Sequence, residues 1–137
     1  MARTDVLFMC VANSARSQMA EALAKQYAPE HVNIYSAGSA PSQVNPYATK
    51  ALGEIGLSTE NHTSNGIDDV PLETVGWVIT LCAEEVCPYF PGDVERLHWP
   101  QPDPVTNERD PEAILARFRA VRNAIEIKVR HFFETEY

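Results

Sequence analysis

The run Asp5-Val6-Leu7-Phe8-Met9-Cys10 is apolar almost throughout and stops abruptly at a polar segment. A strand with one face in water alternates, so a short unbroken apolar run reads as a strand buried on both faces. Such strands belong to parallel sheets, which need crossover segments to cover them, and the chain supplies these. Arg16 to Tyr27 carries Met19, Ala20, Leu23, Ala24 and Tyr27 at helical spacing, with Pro29 as its stop. His31 to Ser36 alternates polar and apolar, as a second strand does. Asn45-Pro46 opens a second helix with Tyr47, Ala51, Leu52 and Ile55 on one face and Gly56 at its close. Ser58 to Asp69 is polar and reads as a surface loop. Gly76 to Leu81 and Val94 to Trp99 are two more strands. Asp110-Pro111 starts a final helix bearing Ile114, Phe118, Val121, Ile125, Val129 and Phe132. The expectation is an α/β fold: a single three-layer domain over residues 1–137, with a parallel sheet of about four strands and helices on both faces.

A chain of 137 residues holds one core, with no internal repeat or linker to divide it. No apolar run approaches the ~18 residues that cross a bilayer, and no export-type cleavage site follows the N-terminus. A soluble, cytoplasmic protein with no membrane partner is expected. The net charge of −8 argues against nucleic acid. It also means that any bound anion must be held by a local positive site made of backbone amides or an arginine. The three cysteines are an odd number, and a reducing compartment disfavours a disulfide scaffold. Buried filler, metal ligation and redox or nucleophilic catalysis remain.

Cys10-Val11-Ala12-Asn13-Ser14-Ala15-Arg16-Ser17 is the most informative segment. A cysteine ends a strand, a short loop follows, and an arginine begins a helix. Successive amides at a helix N-terminus form a nest for a tetrahedral anion. Arg16 can fork two donors onto such an anion. Ser17 is placed to donate to a Cys10 thiolate, the reactive form of the thiol. Val11, Ala12, Asn13, Ser14, Ala15, Arg16 and Ser17 are therefore the expected substrate-binding residues, with Cys10 as nucleophile. In a parallel sheet, ligands bind beyond the C-terminal strand ends, and Cys82 and the Pro100–Pro104 loop fall at those ends too.

The Cys10–Ser17 segment resembles the catalytic loop of the low-molecular-weight protein tyrosine phosphatases and of the arsenate reductases that share their fold. Ser17-Gln18-Met19-Ala20-Glu21-Ala22 resembles the reductase branch. So do Tyr35-Ser36-Ala37-Gly38-Ser39, Val78-Ile79-Thr80-Leu81-Cys82, His98-Trp99 and Asp103-Pro104, so that the likeness spans most of the chain. Two loop positions depart from the pattern: Ala12 stands where glycine is usual, and Ala15 where many members carry a second cysteine.

This resemblance implies reduction of arsenate to arsenite by a three-cysteine relay, serving arsenic detoxification. Cys10 attacks arsenate, Cys82 attacks the Cys10 sulfur, and Cys87 takes over the disulfide, which thioredoxin or a similar dithiol reduces. It also implies that Asp103 is the general acid. Asn13, Glu21, Ser36 and Thr63 resemble oxygen donors that brace the loop and, in some reductases, hold potassium. Asn65 stands here where those members carry a carboxylate, so neither potassium nor any other cofactor is expected. The alternatives are a protein tyrosine phosphatase, a catalytically silent oxyanion sensor, and zinc bound by the cysteines with His98. Val105-Thr106-Asn107 after the Asp-Pro pair, where phosphatases often carry tyrosines, and the Cys82/Cys87 pair both count against the phosphatase. His62, Trp77, Trp99 and Phe132-Phe133 suggest packing or surface roles alone.

Overall fold

The computed structural model describes residues 3–83 and 90–137. Four parallel strands, β1 (Asp5–Cys10), β2 (Ile34–Gly38), β3 (Val75–Thr80) and β4 (Glu95–His98), form one sheet in the order β2-β1-β3-β4. The helices are α1 (Arg16–Tyr27), α2 (Pro46–Gly53) and α3 (Pro111–His131). The chain leaves β1 for β2 on one side and later returns to β3 on the other. The crevice above β1 is therefore the switch point at which α/β sheets hold ligands.

Every residue of β1 is buried, as its unbroken apolar run requires of a central strand. Val6 and Phe8 face one way, with Ile79 and Leu81, into a core completed by Met19 and Leu23 of α1, Leu52 of α2 and Phe118, Ile125 and Val129 of α3. Leu7 and Met9 face the other way, with Val78, Val70 and Phe90. Helical cover lies on both faces but unequally. All three α-helices share the first core, whereas the second face is closed by one 3-10 turn, Ile67–Asp69, and by the loops carrying Val70, Phe90 and Val94. Trp77 and Trp99 meet Phe132 edge to face with ring centroids 5.0 and 6.0 Å apart, so these aromatics do pack, as their sequence context suggested. Among the described residues no helix is long and apolar enough to cross a membrane.

Element ends follow local chemistry. Ala28 adopts an extended conformation ahead of Pro29, which ends α1. β2 begins at Ile34 rather than His31, because Val32 N–H turns back to the Pro29 carbonyl and Asn33 N–H is held by the Asp5 carboxylate. The Asn45 side chain accepts from Tyr47 N–H at 2.8 Å and caps α2 ahead of Pro46. α2 unwinds through Gly56, whose φ of 82° suits glycine, with Leu57 N–H on the Leu52 carbonyl and Gly56 N–H on that of Gly53. This turn carries Ile55 outward, 38% exposed, off the apolar face on which its spacing had put it. Asp110 occupies the position before α3, yet its side chain makes no cap hydrogen bond.

α2 and α3 are clamped by charge. Glu54 receives Arg119 through a two-pronged contact (2.6 and 2.9 Å) and Arg122 at 3.0 Å, while Arg122 also donates to the Ala51 carbonyl at 2.6 Å. Arg119, above all, holds the Glu54 carboxyl down to about 2 from its ordinary 4.5. A depressed carboxylate stabilises the fold above its unfolded value and loses that contribution as pH falls through the folded one. Glu54→Gln should therefore unfold more readily than the parent above about pH 5. The two unfolding curves should converge as pH approaches 2, read by chemical denaturation at a series of pH values.

Candidate active site

Cys10 ends β1 and is buried, 2% exposed. The loop after it is shaped from outside by the segment following β2. The Val11 carbonyl accepts from Ala40 N–H (2.9 Å), that of Ala12 from Ser42 N–H (3.2 Å), and that of Ser14 from Asn45 N–H (2.9 Å). The Asn13 carbonyl accepts from Gln18 Nε2 at 3.1 Å. A trans peptide points its N–H opposite its C=O. Turning the carbonyls of Val11, Asn13 and Ser14 outward therefore turns the amides of Ala12, Ser14 and Ala15 toward the cavity these three residues line. The first amides of α1 join them, since Ala15 gives that helix end no side-chain cap. Gly38 makes this tightness possible: a Cβ there would lie 2.2 Å from the Val11 carbonyl oxygen.

Among the described residues Asn13 is the one non-glycine in the left-handed region, with φ 47°. Asparagine tolerates that conformation better than most residues. Ala12 therefore stands in the loop without needing the glycine found in relatives of the pattern. Asn13 is fully buried, and its Nδ2 donates to the carbonyls of Ser36 (3.2 Å) and Asn65 (3.4 Å). Its Oδ1 faces back, accepting from Ser17 Oγ (2.7 Å) and Gln18 Nε2 (3.1 Å). Ser17 Oγ lies 2.8 Å from the Cys10 sulfur, as expected of a residue serving its thiolate.

Among the described residues the cavity, about 260 Å³, is lined by Cys10, Ala12, Ser14, Ala15, Arg16, Asn45, Asp103 and Val105, none of them aromatic. Arg16 is 5% exposed, and its Nη1 donates to the Gln101 carbonyl at 3.0 Å, which fixes the guanidinium at the cavity floor. Its Nη2 lies 4.0 Å from Asp103 Oδ2. Asp103 sits at the rim, half exposed, with Oδ1 accepting from Val105 N–H at 3.0 Å. Two ladder bonds beyond the strands bring these parts together: Leu81 N–H to the Met9 carbonyl and Gln101 N–H to the Leu81 carbonyl. They also place Cys82, which is buried, beside the end of β1. Cys87 lies outside the described residues.

Residues 5–136 match the family described as low molecular weight phosphotyrosine protein phosphatase. The chain belongs to that family. It is 42% identical over 137 residues to an arsenate reductase of Halalkalibacterium halodurans, covering 98% of this chain and 99% of the relative. A crystal structure of an arsenate reductase from Archaeoglobus fulgidus superposes with a TM-score of 0.80 at 29% identity, covering 94% of this chain and 98% of that one. A thioredoxin-dependent arsenate reductase of Corynebacterium glutamicum superposes with a TM-score of 0.71 at 27% identity, over 96% of this chain and 61% of that one.

Behind the phosphatase-family loop lies a buried polar cluster. Glu21 Oε1 accepts from Ser36 Oγ at 2.5 Å, and Oε2 from Lys25 Nζ at 2.6 Å. His62, its side chain 4% exposed, puts Nε2 3.6 Å from Glu21 and Nδ1 2.9 Å from Gln18 Oε1. Burial lowers the His62 pKa from its usual value; Glu21 opposes that shift and Lys25 adds to it. His62 is thus a structural member of the site, contrary to the surface or packing role its sequence context suggested. The oxygens that could hold potassium are already engaged by donors. Asn13 and Asn65 both aim amide nitrogens at the Ser36 carbonyl, Gln18 Nε2 takes the Thr63 carbonyl, and Lys25 supplies Glu21 with its counter-charge. So arranged, these residues do not fit the ion.

Gly38→Ala should force the loop away from β2. Overpacking of this kind costs about 1–3 kcal/mol. Chemical denaturation should show a loss of that order, and inorganic phosphate, tested by calorimetric titration, should bind more weakly than to the parent.

Proposed function

We propose that the protein reduces arsenate to arsenite by a relay of its three cysteines. The supporting observation is the cavity itself: loop residues whose amides face it line it together with Cys10 at its base, Arg16 in its floor and Asp103 at its rim. The similarity to arsenate reductases points the same way.

The anion's oxygens meet the loop amides and the Arg16 guanidinium, which compensate locally for a chain of net charge −8. The Cys10 thiolate attacks arsenic(V), and Asp103 protonates the departing oxygen, giving a thiol–arsenate adduct and water. The Cys82 thiolate then attacks the Cys10 sulfur. As the S–As bond breaks, its electron pair stays on arsenic, which leaves as arsenite, and the two thiols become a Cys10–Cys82 disulfide. Cys87 attacks Cys82, Cys10 departs as thiolate, and the resulting Cys82–Cys87 disulfide is reduced by thioredoxin or a similar dithiol. The cytoplasm, where thiols are kept reduced, suits this cycle.

The same cavity accepts phosphate, so slow hydrolysis of a small aryl phosphate is part of the reading. With no aromatic side chain lining it among the described residues, phosphotyrosine peptides gain little there. With a thioredoxin system, Cys10→Ser, Cys82→Ser and Cys87→Ser should each abolish arsenite production, whereas only Cys10→Ser should abolish p-nitrophenyl phosphate hydrolysis. Brisk phosphatase turnover with no arsenite from the parent, and with Cys82 and Cys87 dispensable, would sink the proposal. Asp103→Asn should lower the rate of both reactions about 10²-fold or more, the usual contribution of a general acid.

A further inference from the structure

The hydroxyl of Ser17 has one proton and two claimants, Asn13 Oδ1 at 2.7 Å and the Cys10 sulfur at 2.8 Å. The orientation of Asn13 is not free, because its Nδ2 is spent on two main-chain carbonyls. While Cys10 is a thiol, its S–H donates to Ser17 Oγ and Ser17 donates to Asn13. When Cys10 ionises, Ser17 must turn its proton to the sulfur, which leaves Asn13 Oδ1 without it. Asn13 is fully buried, so water cannot replace the lost donor, and a buried acceptor left alone is costly.

Gln18 removes that cost. Its Nε2 gives one proton to the Thr63 carbonyl at 2.9 Å and shares the other between the Asn13 carbonyl and Asn13 Oδ1, each at 3.1 Å. Two of these three acceptors are main-chain carbonyls, which settles which end of the amide is nitrogen. Gln18 Oε1 therefore faces His62, and His62 Nδ1 carries a proton and donates to it. We propose that Gln18 is a positioning residue for Cys10: it keeps Asn13 Oδ1 hydrogen-bonded while Ser17 shifts its single proton to the sulfur. This inference rests on the reading of Cys10 as the nucleophile.

The charged and titratable groups facing Cys10 are Arg16 from the start of α1, Asp103 from the loop after β4 and Cys82 after β3. Glu21, Lys25 and His62 lie behind the loop. Of these only Cys82 is altered in the test, and it is altered in every protein compared: the full chain carries Cys82→Ser and Cys87→Ser, so that Cys10 is the sole thiol. Its alkylation by iodoacetamide is followed against pH for the parent, Ser17→Ala, Gln18→Met and the double variant, with near-ultraviolet circular dichroism confirming the fold. Gln18→Met should slow alkylation at pH 7 about tenfold, the equivalent of one pH unit, and move the pH profile upward. In the Ser17→Ala background it should add nothing, because the proton it helps to release is gone.

An unchanged profile, or slowing of equal size with and without Ser17, overturns the inference while leaving the nucleophile intact. Inert Cys10 in the parent at every pH would overturn both. If Gln18→Met fails to fold, Gln18→Leu, which is likewise uncharged and has no donor for Asn13, takes its place, and the same slowing is expected.

Discussion

Which way a few peptide groups face governs everything else in this molecule. The loop after β1 has its carbonyls drawn outward by Ala40, Asn45 and Gln18, and only then do its amides line a cavity. Each of those outward bonds depends on another part of the fold. Ala40 follows Gly38, which lets β2 end in contact with the loop, and Asn45 also caps α2. The proposed anion site is therefore less a feature of the loop than of the layer packed behind it.

The same logic explains how so acidic a chain can hold an anion. Arg16 is buried and pinned through the Gln101 carbonyl, so its charge is directed rather than diffuse. Glu21, close behind on the same helix, is matched by Lys25 and bonded to Ser36, which confines its negative charge to the far side of the loop. Charges of both signs sit within two turns of one helix, yet they serve opposite faces of it.

Much of this could be read from residue order. The buried run of β1, the spacing in α1 and α3, and Asn45-Pro46 before α2 all rest on interactions between near neighbours in sequence. The Cys10–Ser17 pattern likewise announced a nest, because strand, loop and helix are contiguous there. What escaped notice depends on a distant partner in one case and on local turns in two others. His62 read as a packing or surface residue with no place in the site, because Gln18, which anchors it, lies 44 positions away. β2 begins three residues later than its alternation suggested, since the local turn at Pro29 captured Val32. Ile55 sits on the apolar side of a helix wheel, but the helix ends before reaching it.

A cavity made of peptide amides and one guanidinium measures tetrahedral shape and negative charge and little else. Arsenate and phosphate present nearly the same outline to such a surface, and phosphate abounds in cells. On the proposed chemistry, selection occurs after binding: phosphorus(V) is not reduced by thiols, whereas arsenic(V) is. Phosphate is then an occupant rather than a substrate, and throughput follows the ratio of the two anions more than the affinity for either. That no aromatic among the described residues lines the cavity fits this arrangement, because a pocket with little grip beyond the oxyanion releases the wrong guest quickly.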